Sequence, residues 1–203
     1  MEMSRLENKP INIPNGVNLQ IVNGMLYVRG PKGVVTQVIN DNLQLTIDTS
    51  QNIVTVERKI QKSLNKRKTV HISIAKHRGL QGLFRGIVSN MIQGVTLGFK
   101  KELSVIGLGY KANIENNNIV LTVGFSHLVK LQIPKTLEVI TKLMLDKSTL
   151  ISVIGIDKCI VGTFAAKIRQ VKPSEPYKGF GIRYINEKVI RKAGKVATSS
   201  NKK

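Results

Sequence analysis

"GLFRGIVSNM" at 82–91 and "GTFAAKIRQV" at 162–171 decide how this chain is read. Gly82, Phe84, Val88 and Met91 line up with Gly162, Phe164, Ile168 and Val171 at one constant offset, and both stretches follow a series of short alternating strands. The same order of elements occurring twice points to an internal duplication. In the first copy the period changes from about Thr69 to Phe99. Leu80, Leu83, Phe84, Ile87, Val88, Met91, Ile92 and Val95 recur at spacings of three and four and predict one apolar helix face. Arg78, Arg85, Ser89 and Asn90 take the opposite side, and Gly98 closes the helix. The second helix is predicted over 157–171, with Asp157 as its N-cap and Pro173 just past its end.

Working outward, the runs "VNLQIV" (17–22), "MLYVRG" (25–30), "GVVTQVI" (33–39), "LQLTI" (43–47) and "NIVTVER" (52–58) alternate and are β-branched, as strands do. After the first helix the pattern restarts with "ELSVIGLGYKANIE" (102–115), "NIVLTVGFS" (118–126), "LVKLQI" (128–133), "LEVIT" (137–141) and "TLISVIGI" (149–156). The expected class is α+β, in two similar domains, each a small antiparallel sheet with a helix packed on one face. The domains are placed at 1–98 and 99–172, with 173–203 a basic tail. "GPKG" (30–33) reads as a tight turn with Lys32 in solvent. "GLGYKA" (107–112) has the letters of a dinucleotide-binding loop, but a strand pattern follows it where that loop needs a helix. It reads as a glycine bend.

Charge speaks to partners. Lys and Arg number 32 against 12 Asp and Glu, a formal +20, which calls for a polyanion. Nucleic acid is favoured because each phosphate neutralised also releases counterions. A membrane is disfavoured, since no apolar run approaches the roughly 20 residues that span a bilayer and Trp is absent. The cations concentrate in two segments, a basic insertion at 59–78 and the closing stretch from Lys172. The start lacks the pattern of a secretory or transit peptide, so the chain is expected to be made where it works. The Lys, Ile and Asn bias suits a bacterial or organellar genome.

Catalysis finds little support. His71, His77 and His127 have no carboxylate or cysteine companions at ligand spacing, and the acids are scattered singly. No catalytic residue, metal, cofactor or small-molecule substrate is predicted. Cys159 reads as a buried structural thiol on a helix with a core pattern.

"EPYKGFGIRY" (175–184), followed by "EKVIRKAGK" (187–195), resembles the C-terminal signature of the L-six family of large-subunit ribosomal proteins. "MSRLENKPINIPNGV" (3–17), "VRGPKG" (28–33), "VIGLGYKA" (105–112), "VGFSHLV" (123–129) and "GIDKCIVG" (155–162) match further family motifs in order. The resemblance implies a non-catalytic ribosomal component bound to large-subunit rRNA near the sarcin-ricin loop, beside neighbouring ribosomal proteins and the surface where translational GTPases act. Its location would be the ribosome, in a bacterial cytoplasm, a mitochondrial matrix or a plastid stroma. A free RNA-binding regulator or chaperone is the alternative.

Carried over by position, the rRNA-binding residues are Tyr177, Lys178, Gly179, Gly181, Arg183 and Tyr184, with Arg191, Lys192 and Lys195 downstream. Arg169 and Lys172, at the end of the preceding helix, extend the patch. Lys and Arg pair with phosphates, Tyr can stack or donate its hydroxyl, and glycines let main-chain amides come close. Phe180 and Ile190 stand where the family usually has cations, and Lys188 where an aromatic is common. At Phe180 the contact could be stacking.

Overall fold

The computed structural model describes residues 9–48, 50–59, 67–144, 148–192 and 194, with the backbone alone for 58 and 67–78. Its contacts divide the chain into two units, one of residues 1–99 with 156–158, the other of 100–155 with 159–203.

The first unit contains β1 (Ile11–Asn12), β2 (Asn18–Val22), β3 (Met25–Gly30), β4 (Gly33–Val38), β5 (Leu43–Asp48), β6 (Ile53–Arg58) and α1 (Arg67–Thr96). The second contains β7 (Phe99–Ile106), β8 (Lys111–Glu115), β9 (Asn118–Thr122), β10 (Val129–Gln132), β11 (Leu137–Leu143), β12 (Thr149–Gly155), α2 (Lys158–Val171) and β13 (Gly181–Tyr184), except that the first residues of β7 and α2 belong to the first unit. The strand orders β2-β3-β4 and β1-β6-β5 recur as β8-β9-β10 and β7-β12-β11. Duplication is thus written in the topology, and β13, added beyond β7, is the one strand without a counterpart.

Each unit carries two small sheets where the alternation pattern suggested one. Alternation marks which side of a strand is buried, but it does not say which strand is the neighbour. Two tight hairpins have a local cause. Asn23-Gly24 joins β2 to β3 and Asn116-Asn117 joins β8 to β9, all four residues at positive φ, the primed turn geometry whose twist suits a two-residue loop.

The first core gathers Leu26, Val28, Leu43, Val54 and Val56 from the strands and Phe84, Val88, Met91, Ile92 and Val95 from α1. Buried Gln81 adds a polar tie, its side-chain amide donating to the Val56 carbonyl at 2.8 Å. Leu83, expected on the buried face, is exposed. The stripe actually buried runs 84, 88, 91, 92, 95, and at 3.6 residues per turn position 83 falls more than a quarter-turn from its centre.

Gly98, at φ 76°, ends α1 as expected, its N–H donating to the Gln93 carbonyl at 3.1 Å. Lys32 is exposed, as expected, and is also engaged: its backbone N–H donates to the Val95 carbonyl at 3.0 Å and its ammonium to the Leu97 carbonyl, so it serves the negative end of α1. The turn comes this close because Gly30 has no side chain: a Cβ there would sit 2.6 Å from Val95 Cγ2. The Gly30→Ala variant is therefore expected to lose about 1–3 kcal/mol to overpacking, read as a lowered urea midpoint with unchanged m.

Cys159 is a correction, being exposed on the first turn of α2. The buried positions of α2 are Val161, Phe164, Ala165 and Ile168, and residue 159 lies on the far side of the helix from them. Of the basic insertion, 60–66 lie outside the described residues, and 67–78 continue the helix as the first turns of α1.

Candidate nucleic-acid interface

The segment 173–184 has a fixed local structure. β13 pairs antiparallel with β7, Ile182 opposite Val105 and Arg183 opposite Ser104. Ile182 is fully buried, and Pro173 meets it in a bridge closed by the Ile182 N–H on the Lys172 carbonyl at 2.8 Å. Gly181 belongs to this packing, since a Cβ there would lie 2.5 Å from the Pro173 carbonyl oxygen. Glu175 N–H to Phe180 O at 2.8 Å and Gly179 N–H to Glu175 O at 3.0 Å close the loop between.

That loop turns outward at 176–178, placing Tyr177, 54% exposed, and Lys178 at its tip. The chain beyond β13 then returns to it. The Lys192 N–H donates to the Pro176 carbonyl at 2.8 Å, and a Cβ on Gly179 would lie 3.1 Å from Arg191 Nε. Gly179 thus makes room for a guanidinium. Alternation along β13 turns Arg183 to the face opposite Ile182. Lys178, Arg191 and Lys192 are exposed and meet around one loop, while half-buried Arg183 and Lys172 flank its base.

Arg169 behaves differently. Its guanidinium grips Glu187 with two nitrogens, Nε to Oε2 at 3.0 Å, and lies 5.8 Å from the Tyr184 ring centre. The same Glu187 carboxylate accepts the Tyr184 N–H at 3.2 Å. Lys101 sits 5.9 Å above the Tyr184 ring. Two residues expected to meet RNA, Arg169 and Tyr184, also tie the end of β13 to α2. The sequence held a signal for this in Glu187, one of two acids in the closing basic stretch and three residues past Tyr184. Lys195 lies outside the described residues, and Phe180 is half-buried.

Residues not among the expected rRNA contacts stand on the β9–β10 connection. Phe125 and His127 are stacked, ring centres 5.8 Å apart and planes 15° from parallel, with the Lys172 ammonium 5.1 Å above Phe125. Among the described residues no group of three or more His, Cys, Asp or Glu is placed to hold a metal, and no helix is long and apolar enough to cross a membrane.

The Arg169 guanidinium, followed by the Tyr184 N–H, holds the Glu187 carboxyl below its ordinary value, against partial burial that pushes it up. A carboxyl lowered in the folded state stabilises above its unfolded pKa, and that contribution is lost as pH falls through the folded value. The stability difference between wild type and Glu187→Gln is expected to be largest at neutral pH. It should shrink on acidification to about pH 3, as denaturant titrations at each pH will show.

The fold and the loop together define a basic α+β protein with exposed cations clustered around one loop. Residues 106–185 match the family described as ribosomal protein L6. The chain is 42% identical over 200 residues to the large ribosomal subunit protein uL6 of Chlamydia pneumoniae, covering 98% of this chain and all of that one. It is 40% identical over 195 residues to its namesake from Desulforapulum autotrophicum, covering 96% and 99%, and 40% over 193 residues to that of Natranaerobius thermophilus, covering 95% and 98%. The chain belongs to the ribosomal protein L6 family.

Proposed function

We propose that the chain is a structural constituent of the large ribosomal subunit, binding large-subunit rRNA through the loop 173–184 and the segment that returns to it. The observation that carries this reading is the docking of Arg191 and Lys192 on the 176–179 turn, which gathers separate cations around one loop. Such a cluster suits a phosphate backbone, where charge supplies affinity and main-chain geometry sets register. The relatives carry the name large ribosomal subunit protein and come from bacteria, which supports a bacterial-type ribosome as the location. Neighbouring ribosomal proteins are the further partners.

The finer placement follows the family resemblance: the bound rRNA lies near the sarcin-ricin loop, close to the working surface of translational GTPases. The chain's role there is architectural and needs no catalysis, cofactor or small molecule. The domain reading is proposed in adjusted form, two α+β repeats with a basic segment beyond β13, the loop 173–184 belonging to the second repeat.

In cells, the protein is expected to sediment with purified large subunits; its absence from them would overturn the assignment. For rRNA binding in vitro, alanine at Lys178, Arg183 and Arg191 should lower the salt slope by about 0.7–0.9 for each phosphate contact removed. Arg169→Ala should leave that slope alone and lower stability, because its charge is held by Glu187.

A further inference from the structure

The connection from β9 to β10 is built around one ring. Tyr110 lies against Gly107, where a Cβ would fall 2.5 Å from its ring, and against Gly124, where one would fall 3.2 Å from Cε1 and the hydroxyl oxygen. The "GLGYKA" bend thus seats an aromatic that supports the start of the 124–128 loop. This loop carries Phe125, 41% exposed, with His127 and Leu128 also exposed. Two stacked rings in solvent leave apolar surface unburied.

We propose that Phe125, His127 and Lys172 form a stacking site for an unpaired base of an RNA strand, with the Lys172 ammonium serving the adjoining phosphate. The inference rests on the rRNA-binding role proposed above and adds a second kind of contact to it. Three observations carry it. The two rings are stacked and nearly parallel, so an outer ring face is a flat π-surface of the shape a base presents. Lys172 sits over the face of Phe125, bringing positive charge within reach of the phosphate of a nucleotide stacked on the ring pair. The same Lys172 accepts the Ile182 N–H through its carbonyl, which links the ring pair to the base of the cationic loop. A strand running from the loop's phosphate contacts could then place a base on Phe125.

The test uses the full-length protein with three probes: a twelve-nucleotide oligoadenylate, the same ribose-phosphate strand without bases, and a twelve-base-pair RNA duplex. Wild type is expected to bind the strand with bases more tightly than the one without. Phe125→Leu should weaken oligoadenylate binding roughly five- to a hundredfold and erase that preference, with the salt slope and the duplex affinity unchanged. Lys172→Ala should weaken both single strands and lower the salt slope. Equal affinity of wild type for strands with and without bases would overturn the proposal without needing any variant to fold. So would an undiminished affinity in Phe125→Leu, or a duplex that binds as well as the single strand. Cosedimentation with large subunits reads the parent role independently of all three probes.

Discussion

The burial of Ile182 is the constraint on which the cationic loop of the second unit, its proposed binding face, depends. A fully buried isoleucine on a strand otherwise made of glycine, arginine and tyrosine pulls β13 against β7. An isoleucine removed from water contributes roughly 1.5–3 kcal/mol, enough to hold a short edge strand in register. Everything functional is measured from that anchor. The chain must leave α2 at Pro173, turn out through Tyr177 and Lys178, and return. With Ile182 inward, alternation sends Arg183 outward.

Around this anchor the cations divide by role. Arg169 packs on Tyr184 and Glu187, exposed Lys101 lies over the Tyr184 ring, and exposed Lys32 serves the end of α1 in the other unit. Lys178, Arg191 and Lys192 have no acid shown against them and stay at the surface. The inner group orients and the outer group is available to a partner. Net charge does not separate these classes; the position of a single acid, Glu187, does.

Both glycine-rich motifs turn out to concern space more than flexibility. Gly30 admits the side of α1, Gly107 and Gly124 admit Tyr110, and Gly179 admits Arg191. In each case the missing Cβ lets a larger neighbour fix the backbone, which is how loops of few residues acquire one shape. The Phe125–His127 pair owes its position to this device.

The α+β class, the twofold repetition, the first helix from about Thr69 with its closing Gly98, and the need for a polyanion were all legible in the residues, because periodicity, turn chemistry and charge are local properties. Strand pairing was not. That each unit holds two sheets, that "GFGIRY" contains an edge strand and that Leu83 faces water depend on which surfaces meet after folding, and alternation is silent on that. The binding face divides the same way. Lys178, Arg183, Arg191 and Lys192 were named by the family resemblance, whereas the contacts of Arg169 and Tyr184 with Glu187, and the meeting of Phe125, His127 and Lys172, required distances. Side chains far apart in the chain acquire a shared role only when the backbone between them has been packed, and packing is decided by the whole core at once.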